Sequence, residues 1–337
     1  MSISSVSESD DILDYNITES LANTPEYTNN PADENTSSKK SGVTYLQSSK
    51  FKLGTNISSK GKKLLPDMLN AFVLWRITVS VGLLAVHRFW SHRAFKAKLP
   101  LQIFMCIISF ALGQGSIFTW ARDHRVHHKY VDTTADPYNI NRGFFFAHIG
   151  WLMCRKHPDV IESGKKLPTD DLKADPIVRF NRKYYFPMWA LFCFILPTII
   201  PIYFWEEKWV DAFFVAGVLK YFLQLHSTFC INSVAHKFGY RPFDKKIEAK
   251  ESFFTEAVQP GEGSHNYHHV FPRDYRTKEH AFTFNSSRVF IEFMAAIGQA
   301  YDLKWTSDEL IKARKLKAAN DNKMKEDEAF LCKEWSQ

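Results

Sequence analysis

No Cys-x-x-Cys pair occurs in this sequence, and its five cysteines (Cys106, Cys154, Cys193, Cys230 and Cys332) stand far apart. A disulfide framework and a cysteine-based zinc site are therefore not expected. His-Glu-x-x-His is absent too, which removes the usual zinc-protease signature. No basic run carries a recognised nucleic-acid-binding motif, so no nucleic acid partner is expected. Residues 1–65 hold no long apolar run and no basic start followed by an apolar stretch and a small-residue cleavage site. A secretory leader is not expected there.

What is present divides unevenly along the 337 residues. The mean hydropathy of -0.26 suits a soluble protein, but it averages two unlike regions. Residues 1–65 are rich in Ser, Thr, Asn, Asp and Lys. Such a stretch buries too little apolar surface to offset chain entropy, so a disordered tail is expected. Beyond it lie long uncharged runs of Phe, Ile, Leu and Trp, followed by a charged tail over 306–337. The formal net charge of +7 fits Lys and Arg gathered beside a membrane, or a surface that attracts anionic ligands or an acidic partner.

A membrane span needs about 20 mostly apolar residues. Tyr184 to Trp205 carries no charge and would reach about 33 Å as a helix. Its prolines Pro187, Pro197 and Pro201 suggest kinks. Ala212 to Ala235 is a second candidate, interrupted by Lys220 and His226, and a short polar turn at 206–208 joins the two into an expected hairpin. Met68 to Val86, within a third expected span over 66–86, is weakened by Asn70 and Arg76, because a charge there must face protein or water. Leu99 to Ala121 is uncharged and long enough to span.

Thirteen histidines occur, and their spacing is the strongest signal. His87-Arg-Phe-Trp-Ser-His92 follows the weak span; His124-Arg-Val-His127-His128 and His265-Asn-Tyr-His268-His269 repeat one pattern; His236 follows Asn232. On a helix, residues four apart share a face, while the residue one position earlier points about 100° away. His124 and His128 can thus serve one metal while His127 turns to another. His265 and His269 pair likewise, with His268 on the neighbouring ion. His87 and His92, five apart, need a helix end or a kink to converge. Imidazole suits iron, zinc, copper or nickel.

Topology adds a constraint. The clusters meet only if all lie on one side of the membrane. The hairpin between His128 and His236 returns the chain to its starting side. A single crossing by 99–121 would separate the first two clusters. That stretch is therefore expected to be a buried or interfacial helix.

The motifs extend beyond the histidines: His-Arg-Phe-Trp-Ser-His-Arg at 87–93, Trp-Ala-Arg-Asp-His-Arg-Val-His-His at 120–128, Ala-Asp-Pro at 135–137, Arg-Gly-Phe-Phe-Phe-Ala-His-Ile-Gly-Trp at 142–151, Arg-Lys-His-Pro at 155–158, Asn-Ser-Val-Ala-His at 232–236 and Gly-Glu-Gly-Ser-His-Asn-Tyr-His-His at 261–269. Over roughly 66–305 the chain resembles the membrane-bound acyl-CoA desaturases of the stearoyl-CoA (delta-9) type, particularly their insect branch. The resemblance implies a mainly α, integral membrane protein, with transmembrane helical hairpins under a cytosolic helical cap that holds a di-iron centre. It also implies the endoplasmic reticulum membrane, a multi-pass chain and a cytosolic catalytic face. By resemblance, one ferrous ion takes His87, His92, His124, His128 and His268. The other takes His127, His236, His265 and His269, with Asn232 reaching it through water. Arg122, Asp123, Arg155 and Lys156 are implied to engage the CoA end of a long-chain fatty acyl-CoA, with surface salt bridges as their plainer reading. The implied reaction uses O2 and electrons passed from NAD(P)H through a reductase and cytochrome b5, and membrane lipid surrounds the chain. No catalytic residue is expected beyond the metal centre.

The sequence departs from this pattern in places. Ser41 to Lys60 stands where the family's first membrane helix is expected, and its polar run cannot span. With three crossings the N-terminus would be lumenal and the Asn56-Ile-Ser sequon open to a glycan; if 66–86 does not cross, both termini are cytosolic. Gly115 replaces an Asn and Phe229 a Trp near the expected acyl tunnel, where they bear on double-bond position. Ser264 stands for an aromatic and Pro260 for a Leu. Two alternatives to a desaturase share the histidine pattern: a fatty-acyl hydroxylase, and a catalytically weak paralogue that binds metal without turnover.

Overall fold

The computed structural model describes residues 57–277 and 285–335, with side chains described at 66, 68–277 and 285–321. Most of the expected tail over 1–65, the sequon Asn56 and most of Ser41 to Lys60 lie outside the described residues. Helix α1 begins at Ile57 and runs to Ile77. It continues through two wide π-type stretches, Thr78–Gly82 and Ala85–Ser91.

Three helices among the described residues are long and apolar enough to cross a membrane: Met68–Ser91 in α1, Tyr185–Trp205 (α7) and Trp209–Lys237 (α8). The 21 residues of α7 rise about 32 Å, matching a hydrocarbon core of about 30 Å. Only 17% of its most apolar window is buried, so it presents Ile199, Tyr203 and Phe204 outward. An apolar surface of that extent is covered by lipid, not water. Arg76 in α1 is not stranded, since its Nη1 donates to the Val258 carbonyl at 2.7 Å.

Helices α7 and α8 interlock through a proline. Pro197 has no N–H, so the Cys193 carbonyl one turn earlier loses its helical partner. Lys220 of α8, fully buried, donates its Nζ to that carbonyl at 3.0 Å. The charge that interrupted the apolar run thus caps a kink in the neighbouring helix.

The uncharged stretch 99–121 is not one helix. Leu99–Leu112 (α2) and Ile117–Tyr130 (α3) meet at 81°. Gly113 (φ +69°) and Gly115 (φ +91°) make the corner, a conformation glycine adopts without Cβ strain. Ser116 then starts α3 by accepting the Thr119 N–H on its Oγ, a standard N-cap. The carbonyls left open where α2 ends are taken by α8: Gln224 Nε2 donates to Ala111 and Leu112 at 3.0 and 2.7 Å, and Tyr221 Oη to Gly113 at 2.9 Å.

The remaining helices form the cap: Pro158–Lys166 (α4), Asp170–Ala174 (α5), Pro176–Lys183 (α6), Phe253–Val258 (α9), His265–Val270 (α10), Ser286–Ala296 (α11) and Asp308–Trp335 (α12). One antiparallel ribbon, Lys96–Ala97 with Ala300–Tyr301, ties the cap together by pairing Lys96 with Tyr301 and Ala97 with Ala300. The main core gathers Leu83, Phe89, Trp90, Met105, Phe110 and Ile117, so it sits where α1, α2 and α3 meet under the cap.

The corner yields a comparison. A Cβ at Gly113 would lie 2.7 Å from the Tyr221 ring and 2.8 Å from Trp189 Nε1, whereas one at Gly115 meets nothing within 4 Å. Gly113→Ala combines left-handed strain with overpacking, a loss of about 2–4 kcal/mol. Gly115→Ala carries the strain alone, about 1 kcal/mol. Thermal unfolding in detergent, followed by tryptophan fluorescence, should show the larger drop in Tm for Gly113→Ala.

Candidate metal centre

The centre starts at the end of α1. In the π-type stretch Ala85–Ser91 the backbone bonds run from residue i to i+5, and the His92 N–H donates to the His87 carbonyl at 3.2 Å. One wide turn therefore stacks residues five apart, and the His87 and His92 ring centroids lie 5.0 Å apart. Arg125 of α3 holds this end in place. It donates Nη2 to the Trp90 carbonyl and Nε to the Ser91 carbonyl, both at 3.0 Å, and forks onto Asp171 at 2.8 and 2.7 Å. Orphan carbonyls at a helix end are satisfied by a cation, and His92 is thereby set against His124.

Helix α3 supplies His124, His127 and His128, and the last turn of α8 supplies His236. Half-buried Asn232 stands one turn before His236 on the same face. Helix α10, only six residues long, is held by its surroundings. Asn266 accepts from the N–H groups of Phe243 and Asp244 and donates to the carbonyls of Asp244 and Ala249. Glu251 Oε1 accepts the Tyr267 N–H at 2.8 Å. Gly263 enters the helix so close to Glu256 that a Cβ would come within 2.5 Å of its backbone nitrogen.

All nine clustered histidines come together in two sets. His87, His92, His124, His128 and His268 form one; His127, His236, His265 and His269 form the other; within each set one ring nitrogen per residue lies within 4.8 Å of the rest. The sets abut, with the rings of His128 and His269 stacked at 4.2 Å. In the first set Nε2 atoms face one another at 2.8 Å (His87 and His268), 2.9 Å (His92 and His124) and 2.9 Å (His128 and His268). In the second they face at 3.0 Å (His236 and His265) and 3.1 Å (His265 and His269). Two imidazole nitrogens bound at a right angle, each about 2.1 Å from one ion, stand about 3 Å apart. The spacing is that of neighbouring ligands on a shared cation.

Two further observations test the fit. His127 Nε2 is buried with no hydrogen-bond partner, while its Nδ1 lies 2.8 Å from Asp136 Oδ1. The carboxylate fixes the proton on Nδ1 and leaves the Nε2 lone pair for a metal. Burial pushes His92, His265, His268 and His269 well below the usual histidine range, and crowding among the rings themselves adds to the effect, with Arg88 next to His268. These rings are neutral at pH 7, the form that ligates. The residues fit a metal pair.

Several residues outside the histidine pattern support the rings. Arg88, fully buried, places Nη1 at 3.1 Å from His268 Nδ1 and Nη2 at 3.2 Å from Glu262 Oε2. The same oxygen of Glu262 is 3.1 Å from His87 Nδ1. Burial alone would raise the Glu262 carboxyl, but Arg88 and His87 hold it down at about 2. Asp132 Oδ1 lies 3.7 Å from His236 Nδ1. Arg88, Asp136 and Glu262 lie inside the sequence motifs; what singles them out is burial next to a ring nitrogen, which spacing does not reveal.

The residues expected at the substrate sit apart from the rings. Asp123 is buried and accepts from Arg122 Nε at 3.1 Å on one oxygen and from Lys156 Nζ on the other. Arg155 is exposed. The Gly115 N–H donates to Tyr185 Oη at 2.8 Å. Phe229 is buried on α8 and meets the Trp151 ring edge-on at 5.7 Å.

Residues 66–281 match the model of the family described as fatty acid desaturase. The chain is 53% identical over 225 residues to the Delta(9)-fatty-acid desaturase fat-7 of Caenorhabditis elegans, covering 67% of each protein. It is 48% identical over 244 residues to the acyl-CoA Delta(11) desaturase of Spodoptera littoralis, covering 72% of this chain and 71% of the relative. Against human stearoyl-CoA desaturase the figures are 47% over 251 residues, 74% and 70%.

Asp136→Asn tests the support given to His127. Losing the carboxylate should weaken metal retention about 10–100-fold while the helical fold persists. Metal analysis after gel filtration through graded chelator, alongside circular dichroism, reads both; full retention would show that Asp136 does not orient the ring.

Proposed function

The chain belongs to the fatty acid desaturase family, and from that premise we propose that it inserts a double bond into a long-chain fatty acyl-CoA at a pair of ferrous ions. It is a membrane protein and an acyl-CoA desaturase, an oxidoreductase. The observation that carries the proposal is the pair of buried histidine sets, five rings and four, with their nitrogens converged. Five nitrogens exceed the four-coordinate tetrahedron that structural zinc almost always takes, which favours iron among the metals imidazole suits.

In this reading His87, His92, His124, His128 and His268 hold one iron. His127, His236, His265 and His269 hold the other, with Asn232 placed to act through water. When bound, the iron pair supplies oxygen-reducing chemistry: the acyl chain loses two hydrogens, which together with two electrons and two protons convert O2 to two waters. The protein's own work is positional. Arg122, Asp123, Arg155 and Lys156 receive the CoA end: Arg122 and Lys156 pair with the one carboxylate, and with exposed Arg155 the group keeps a net positive charge to which phosphates are drawn. Asp123 fixes Arg122 and Lys156 from beneath.

The acyl chain lies between the cap and the membrane helices. A Cβ at Gly115 would meet nothing within 4 Å, so the residue borders open space. Phe229 stands seven residues before His236 on α8, about 10.5 Å along the axis, so an apolar surface lies just below the rings. Such a slot presents one carbon pair to the centre, and proximity does the rest. Electrons come from cytochrome b5 and its NAD(P)H-dependent reductase. The catalytic face is cytosolic, on the endoplasmic reticulum, with α2 and α3 as a re-entrant pair that keeps the nine clustered histidines on that side.

Expression in desaturase-deficient yeast tests this directly, with fatty acids analysed by gas chromatography after double-bond derivatisation. Growth without added unsaturated fatty acid and a new monounsaturated species are expected, and His268→Ala abolishes both. A membrane-bound protein that yields no unsaturated product overturns the activity, and a hydroxylated product would shift the assignment to hydroxylation. In steady-state assays Lys156→Ala should raise KM for acyl-CoA about tenfold with kcat unchanged, the signature of lost uniform binding.

A further inference from the structure

The charged segment 306–337 behaves as part of the cap over its first turns. Ile311 of α12 is 2% exposed and packs with Phe243, Tyr267 and Phe271, and Tyr267 belongs to α10. Lys315 lies 5.3 Å over the Phe243 ring. Arg314 Nη2 donates to Asp244 Oδ2 at 2.6 Å. Beneath this contact is a cavity of about 360 Å³, whose lining includes His128, His269, Val131, Ile247, Asp244 and Arg314.

The cavity touches both histidine sets. His128 belongs to one and His269 to the other. Those two are the members of the nine that are half-buried, the other seven being buried. The cage is therefore least covered on the side that faces this cavity. The wall opposite the histidines carries a carboxylate, and a carboxylate oxygen is an acceptable transient ligand for a divalent cation that is shedding water.

We propose that this cavity is the port through which ferrous iron enters and leaves the histidine cage, with Arg314 and Asp244 as its latch. A hydrated cation arriving from solvent meets Asp244 first, then His128 and His269, which hand it inward to the buried rings. The latch is a single contact, because Arg314 Nε has no hydrogen-bond partner among the described residues. A part-exposed, unforked pair of this kind opens readily. Arg314 acts on the centre as a positioning residue, through α12 and the loop at Asp244.

The proposal rests on the di-iron reading, and the test separates the two. Full-length protein is purified with iron in detergent, its iron content is measured, and the rate of loss to a water-soluble ferrous chelator is followed by absorbance. Arg314→Ala should raise that rate at least about threefold. Ile247→Trp, which fills the cavity without touching the latch, should lower it. Opposite signs distinguish a port from general loosening of the fold. Bound iron with wild-type rates in both variants overturns the port alone, as does faster loss in both. A purified chain that holds no iron overturns the centre and the port together.

Discussion

Buried imidazoles whose lone pairs point at one another are tolerable only around a cation. Two Nε2 atoms at 2.8 Å can share one hydrogen at most, and His268 meets two such neighbours, His87 and His128. A buried acceptor without a donor costs free energy that water would otherwise repay. A metal in each set would remove this penalty at all nine rings. Arg125 clamping the end of α1, Asp136 on His127 and Asn266 inside α10 are means to that one end. Metal binding and folding are coupled in such a site, because the apo cage is under electrostatic stress that the holo cage lacks.

The membrane helices and the cap are one mechanical unit. Helix α8 carries Lys220 and Gln224 at mid-membrane depth and His236 at its end. The same rod that caps the Pro197 kink and the α2 corner also presents a ring of the second histidine set. Rotation of α8 about its axis would break three sets of hydrogen bonds before it displaced the imidazole. Polar side chains deep in a span are costly unless each finds a partner. Here Lys220 and Gln224 both donate to carbonyls that helix geometry has left open.

How much of this is legible in the sequence depends on the range of the interaction concerned. The repeated His-x-x-His-His spacing divides faces on a helix, and the uncharged runs mark the membrane; both are local and periodic. The convergence of His87 and His92 is not, since spacing of five fails on an ordinary α-helix and succeeds only through the π-type turn at Ala85–Ser91. The corner in 99–121 is hidden for a related reason. Gly113 and Gly115 are ordinary in composition, and only their positive φ values and the donors from α8 make them a bend. Lys220 looks like a flaw in a span until Pro197 is seen beside it. The C-terminal charges resemble a solvated tail because just one residue in that turn, Ile311, is buried. Long-range partners, not composition, decide all of these.

Helix α10 has a consequence for how the protein is made. Six residues are too few to hold a helix alone, and this one relies on the Phe243–Ala249 loop and on Ile311 of α12. Three of the nine rings therefore cannot take position until translation has passed residue 311. The five histidines on α1, its end and α3 are made long before that and wait for the rings that complete each set. Both sets draw rings from α10, so neither is complete before α10 and the turn at Ile311 have met.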